Sequence, residues 1–304
     1  MRCHAGDPLR PEWRCIAVIA ALGGALAAAQ ADDALERASP VRAVGVDGTI
    51  LTITLAAGGT LRSHDLVGAH LLVDRGGPAV RVRLDAIERD PDDRRRDVAA
   101  ADVIWLHAFS VEVADGAWQP LCDAGPDGRR QAIPVAGRFS PADGRLASSA
   151  SGGFELACTA GAMGKCIRFG YHPWQSRAVP APVPPRPAPG SRPAPSHLDL
   201  YNACLRLVRA DYGGDGVGTT RNGMMIDLYD DRGIQTPDAD PRMTFEAGWT
   251  ADGAVCVNHP RVKESISLAE IAARWPRLAG LAGARCTEET ARALGALLFN
   301  RSAP

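Results

Sequence analysis

The chain has 304 residues, 23% of them charged, and a formal net charge of −1. That is enough length for one large or two modest domains, and it lacks the concentrated basic face that nucleic acid requires. Aromatic residues make up 5% of the chain, so a core has to be built mainly from Val, Leu, Ile and Ala.

Residues 1–31 read as a signal peptide. Arg2, Arg10 and Arg14 form a positive start, Cys15–Ala28 an apolar segment, and Ala29-Gln30-Ala31 a small-x-small junction that puts cleavage before Asp32. The apolar segment is about 14 residues, short of the roughly 20 that span a bilayer, so no stable transmembrane segment is expected after cleavage. A retained anchor is the alternative. Cys15 follows Trp13-Arg14, not the Leu-small-small run before a lipid-bearing cysteine. The expected location is the periplasm or outside the cell. The mature chain carries a charge of about −2, which designates no partner.

Residues 40–121 read as a β-rich N-terminal part, a small antiparallel sheet or barrel. Thr49–Leu55 is β-branched between Asp47-Gly48 and Gly58-Gly59 turns, and Val80, Val82 and Leu84 alternate with Arg81 and Arg83. Val103, Trp105, His107, Phe109, Val111 and Val113 mark one face of a longer strand. Residues 122–178 form a cysteine-containing part, in which Asp123–Gly153 predicts loops with at most one short strand. Residues 179–196 hold eight prolines, a polyproline-prone insertion or linker that reaches roughly 50 Å when extended.

Residues 197–304 form the C-terminal part. Ser196 and Asp199 have capping-box form. The helix that follows places Tyr201, Cys204, Leu205, Val208 and Tyr212 on one face, with Arg206 and Arg209 mainly off it. Gly213-Gly214-Asp215-Gly216 ends that helix. Asn222-Gly223 predicts a hairpin turn, and Met224, Ile226 and Leu228 alternate behind it. Ser267–Trp275 and Thr287–Phe299 predict terminal helices.

Eight cysteines less Cys3 and Cys15 leave Cys122, Cys158, Cys166, Cys204, Cys256 and Cys286. An even number in an exported chain reads as disulfides, with 15 possible pairings of six. Three precede the proline run and three follow it, so full pairing sends at least one bridge across.

Three stretches carry a resemblance: GKCIRFGYHPW (Gly164–Trp174), LDLYNACLRLVRADYGGDGVGTTRNGMMIDLYDDRGI (Leu198–Ile234) and FEAGWTADGAVCVNHPR (Phe245–Arg261). The chain resembles the ADYC-domain family of exported bacterial proteins, loosely over Leu55 to Arg261. The resemblance implies export and no particular chemistry. The family motif reads Ala-Asp-Tyr-Cys; here Ala210, Asp211 and Tyr212 match and Gly213 replaces the cysteine. If the motif cysteine is a nucleophile, this member lacks it; if it is half of a disulfide, its partner should be missing too, and the six remaining cysteines favour that structural reading.

Several constellations carry possible chemistry. Cys158, Cys166, His172, Cys256 and His259 are zinc-type ligands, but only half of a paired knuckle is visible. Asp211, Asp215, Asp227, Asp230 and Asp231 supply oxygens without EF-hand spacing. Cys204 or Cys256 with His172, His197 or His259 has the residue types of a thiol hydrolase, without spacing that fixes a geometry. Trp118, Tyr171, Trp174 and Trp249 are either core or a stacking surface for sugar. No cofactor and no metal is expected.

The resulting expectation is an α+β, β-rich protein: a small antiparallel sheet or barrel N-terminally and a disulfide-tied α+β part C-terminally. Its role is structural or binding rather than catalytic; the alternative is a cysteine- or metal-dependent hydrolase. The ligand-binding candidates are Arg168, Tyr171, His172, Trp174, Asp211, Tyr212 and Asp215.

Overall fold

The structure, a computed structural model, describes residues 14–19, 41–74, 80–93, 102–148, 153–176, 194–238 and 240–303. The chain divides into two units, Met1–Phe139 with Ala147–Arg168, and Ser140–Leu146 with Phe169–Pro304. The fold is α+β and rich in antiparallel sheet, as the residue patterns predict. Of residues 1–31, predicted as a signal peptide, only Arg14–Ile19 are described; most of the proline run likewise lies outside the described residues.

In the first unit the strands are β1 (Arg14–Ile19), β2 (Val41–Asp47), β3 (Ile50–Leu55), β4 (Thr60–Arg62), β5 (His70–Asp74), β6 (Val80–Arg89), β7 (Trp105–Glu112), β8 (Trp118–Pro120) and β9 (Gln131–Ala136). The short β10 (Arg138–Phe139) and β11 (Leu146–Ala147) follow, then β12 (Phe154–Cys158) and the helix α1 (Ala162–Arg168). A seven-stranded sheet runs β1-β5-β6-β7-β9-β12, with β8 also on β7; a second sheet is β2-β3-β4. Both sheets feed one core, Leu51 and Ile53 from β3 meeting Leu71, Val82, Leu84 and Phe109. The period of two decides the faces: Val82 and Leu84 are fully buried, whereas Arg81 and Arg83 lie half-buried on the other side.

His107 falls on the buried face of β7, with no exposure. Its Nδ1 donates to the Trp105 carbonyl at 3.1 Å and its Nε2 accepts the Ser63 hydroxyl at 2.8 Å. Ser63 Oγ in turn accepts the Leu51 N–H at 2.8 Å. Burial holds the imidazole neutral, its pKa lowered to about 3. This serine–histidine pair joins the two sheets and is sealed from solvent.

Two elements depart from expectation here. The region predicted as loops with at most one short strand contains β9, β10 and β11, and five of the six residues of β9 are buried. Its Pro134 argues against a strand, but β9 pairs with β7 only at Gln131 and Ala132, so the missing N–H costs no ladder bond on that side. Helix α1 has no periodic signal because it is only about two turns long and is pressed onto β12. A Cβ at Gly164 would stand 2.6 Å from the Cys158 carbonyl oxygen and 2.7 Å from Thr159 Cα, so the glycine of the GKC triplet permits close backbone approach.

The second unit comprises α2 (His197–Arg209), β13 (Ile226–Asp230), β14 (Thr244–Thr250), β15 (Gly253–Val257), α3 (Leu268–Arg274), α4 (Glu288–Ala293) and β16 (Leu298–Ser302). Its antiparallel sheet runs β13-β16-β14-β15. The predicted capping box opens α2: Ser196 Oγ accepts the Asp199 N–H at 3.1 Å, and Asp199 Oδ2 accepts the Ser196 N–H at 2.8 Å. The helix predicted over Thr287–Phe299 is corrected. It stops at Ala293, Gly295 adopts φ 83°, and β16 then pairs with both β13 and β14. Leu298 and Phe299 are buried by the sheet rather than by a helical stripe.

Cys122, Cys158, Cys166, Cys204, Cys256 and Cys286 are all disulfide-bonded. Cys122 pairs with Cys158 in the first unit and Cys256 with Cys286 in the second.

Candidate functional site

The Ala-Asp-Tyr motif sits where α2 ends. Ala210 takes a left-handed conformation, φ 50° and ψ 45°, and caps the helix through its N–H to the Arg206 and Leu207 carbonyls. That reversal points Asp211 back into the protein, where it has no exposure. Asp211 Oδ1 accepts the Gly214 N–H at 2.9 Å, and Oδ2 accepts the Gly216 N–H at 3.0 Å and Arg206 Nη1 at 2.6 Å. The carboxylate thus organises the glycine-rich turn. Arg206, expected off the buried face, is itself buried. Its Nε donates to the Ala251 carbonyl at 3.0 Å and its Nη1 also to the Asp143 carbonyl. Arginine is tolerated there because its Nε and Nη1 meet a carboxylate and two carbonyls.

Tyr212 is likewise fully buried. Its ring stacks on Trp249 with centroids 5.3 Å apart, and its hydroxyl donates to Glu246 Oε1 at 2.9 Å and accepts the Arg261 N–H at 3.0 Å. Glu246 also accepts Arg261 Nε at 3.0 Å, Arg261 Nη2 at 3.1 Å and Asn300 Nδ2 at 2.7 Å. Asn300 Oδ1 takes the Trp249 indole N–H at 2.8 Å. Burial, and then the Glu246 carboxylate, push the Tyr212 phenol well above its ordinary pKa. The result is a closed polar network rather than an open reactive centre.

Gly213, the departure from the family motif, has a steric reason. A Cβ there would collide with the indole of Trp275. The ring fills the space that a cysteine side chain would need.

The other candidates divide. Tyr171 is buried, and its hydroxyl donates to Asp230 Oδ2 at 2.9 Å. His172 is buried and stacks on the half-buried Trp174, centroids 4.8 Å apart. Asp215 is half-buried and accepts Arg274 Nη2 at 3.1 Å and the Trp275 indole N–H at 3.3 Å. Arg168, in the first unit, pairs with Asp90 at 2.8 Å, Asp92 at 2.5 Å and Asp127 at 3.4 Å. Among the aromatics, Trp249 and Tyr171 are core, and Trp118 stays half-buried on a sheet face. Among the described residues no group of three or more His, Cys, Asp or Glu is placed to hold a metal ion. Cys158 and Cys256 are consumed in disulfides, so neither supplies a thiolate ligand or a nucleophile.

Sequence reasoning missed Glu246, Arg261 and Asn300. The first two lie inside the FEAGW and NHPR stretches, and an acid between aromatic residues in a strand was the available signal. It also missed the side chains around Trp118. His70 stacks on that ring at 5.1 Å, the Arg83 guanidinium lies over it at 4.7 Å, and Arg81 lies at 5.8 Å. Arg81 bridges Glu112 at 3.2 Å and meets His70 Nδ1 at 2.9 Å. Burial, with Arg81 and Arg83 beside it, lowers the His70 pKa. An open cavity of about 540 Å³ adjoins this face, lined in part by Leu72, Arg81, Glu112 and Val113.

No curated protein and no solved structure matches this chain. No helix among the described residues is long and apolar enough to cross a membrane. The family model of the ADYC domain matches residues 63–263, which include the sealed motif, the Glu246–Arg261 pair and the Trp118 face. The chain belongs to the ADYC domain family.

Proposed function

We propose that this is an exported bacterial protein with a non-catalytic, binding role in the cell envelope or outside the cell, in which the family motif is scaffold. The observation that carries the reading is that Asp211 and Tyr212 are both fully buried, with their polar atoms committed to Arg206, Glu246, Arg261 and the glycine turn. A catalytic residue has to reach a substrate, and these do not. Export is supported by the six bonded cysteines, which suit an oxidising compartment, and by the leader-like residues 1–31. Cleavage before Asp32 removes β1 and leaves β5 as a sheet edge.

The test is expression with the native N-terminus, cell fractionation, N-terminal sequencing and thiol titration of the exported material. The expected result is a chain that starts near Asp32 and has no free thiol among the six cysteines. Exported protein that retains residues 1–20 overturns the cleavage. A single free thiol of low pKa overturns the non-catalytic reading in favour of the thiol hydrolase.

A further inference from the structure

The outer face of β5, β6, β7 and β8 is built unlike an ordinary solvated sheet surface. Its charges are neutralised in place, Arg81 by Glu112 at 3.2 Å and Arg83 by Asp85 at 2.5 Å. The pairing of β6 with β7 shifts between Leu84 and Ala86, so Asp85 is the extra residue of a β-bulge. Bulges of this kind re-aim a side chain and recur beside functional sites. Here the bulge places the Asp85 carboxylate where it also accepts the Ser110 hydroxyl at 2.5 Å. Trp118 packs among these groups on a face the core does not use.

We propose that this face binds a neutral oligosaccharide. The inference rests on the binding reading above and names its ligand class. Two cations are matched by two carboxylates, so an anionic ligand has to displace a carboxylate already seated and gains little. A polyol gains more. A guanidinium carries five N–H donors and a carboxylate about four acceptor sites, and one ion pair leaves several of each unused. The side chains remain open enough to offer them, with relative exposures of 39% for Arg81, 26% for Glu112, 35% for Arg83 and 27% for Asp85. Each pair holds the other in orientation, which lowers the ordering cost of binding. The indole of Trp118 supplies the apolar surface on which the C–H face of a sugar ring packs. The adjoining depression, about 540 Å³ and open to solvent, sets Leu72, Val80 and Val113 beside Arg81 and Glu112, a mixed apolar and polar floor for a ligand laid along the surface.

The experiment is calorimetric titration of the exported, oxidised full chain with chitotetraose, cellotetraose and maltotetraose, and with inorganic phosphate and trigalacturonate as anionic probes. Saturable binding of at least one neutral tetrasaccharide is expected, and no comparable binding of either anion. Trp118→Ala weakens that binding roughly tenfold or more, the loss of an aromatic contact of about 1.4 kcal/mol. Glu112→Gln weakens it too, whereas Met225→Ala, an exposed side chain of the other unit, leaves it unchanged. If Trp118→Ala lowers the melting temperature, Trp118→Phe and Glu112→Gln decide the matter. The proposal is overturned if no neutral sugar binds, if binding ignores Trp118 and Glu112, or if the anions bind better. Any of these results in a chain still exported with six oxidised cysteines sinks this inference alone and leaves the binding reading in place.

Discussion

Glu246 and Arg261 form a two-point ion pair, 3.0 and 3.1 Å, with both side chains at most 1% exposed. A buried pair of this kind is costly to break and cheap to replace whole. Arg261→Met leaves the Glu246 charge without its counter-ion and is expected to cost about 3–5 kcal/mol. The paired replacement Glu246→Leu with Arg261→Met should cost less than Arg261→Met alone. Urea unfolding of the two single variants and the double variant gives the coupling; strictly additive losses would refute the account.

Tyr212 combines a packed ring with a hydroxyl that both donates and accepts. Tyr212→Ala is expected to cost roughly 3 kcal/mol or more for loss of the ring. Tyr212→Phe keeps the ring but strands partners on Glu246 and Arg261, at about 1–3 kcal/mol. A Tyr212→Ala chain with an unchanged melting temperature would show that the residue is not core.

Gly213 and Trp275 compete for one volume. Gly213→Cys, which restores the family motif, should destabilise by about 1–3 kcal/mol through overpacking against the indole. Combining it with Trp275→Ala should recover part of that loss. Thermal melts of the three variants settle it: if Gly213→Cys melts like the parent, the steric explanation fails.

His107 predicts a pH dependence. Its folded pKa of about 3 lies below the ordinary 6.5, so the unfolded chain binds the proton more readily. Its contribution is therefore fully present above pH 6.5 and is lost as pH falls from there toward 3. The loss amounts to a few kcal/mol, about 1.4 for each pH unit of the window. His259 and His70 are lowered in the same direction, each mainly by burial. Stability should fall already between about pH 6.5 and 5, before ordinary carboxylates protonate. His107→Gln should flatten most of that slope, and an unchanged slope would count against the assignment.

The cysteine parity predicts that a bridge crosses the proline run. Three of the six cysteines precede the run and three follow it, so full pairing leaves an odd number on each side. Proteolysis within residues 179–196 should give fragments that stay together on a non-reducing gel and separate with reductant. Separation without reductant would establish an open linker.

The strands around residues 50–55, 80–89 and 105–112 and the capped helix at residue 197 were legible before any coordinates. Each is set by a local repeat or a local hydrogen bond. Alternation in Val80–Leu84 picks a sheet face, and Ser196 with Asp199 starts a helix whatever lies beyond. Other features depend on contacts between residues far apart in the chain. Arg206 reads as a solvated charge until Asp211 and the Ala251 carbonyl close around it. Leu298 and Phe299 look helical until β13 and β14 flank their strand, and Pro134 looks like a breaker until β9 proves to meet β7 at only two residues. The candidate site divided in the same way. The sequence put Tyr212 on the apolar helix face and Asp211 beside the glycine turn, and offered Trp118 as core or stacking surface by residue type alone; burial decides whether a polar or aromatic side chain holds the protein together or meets a ligand. Only the tertiary structure sealed Asp211 and Tyr212 against Arg206, Glu246 and Arg261 and left Trp118 on an open face, because the partners that close a site come from distant parts of the chain.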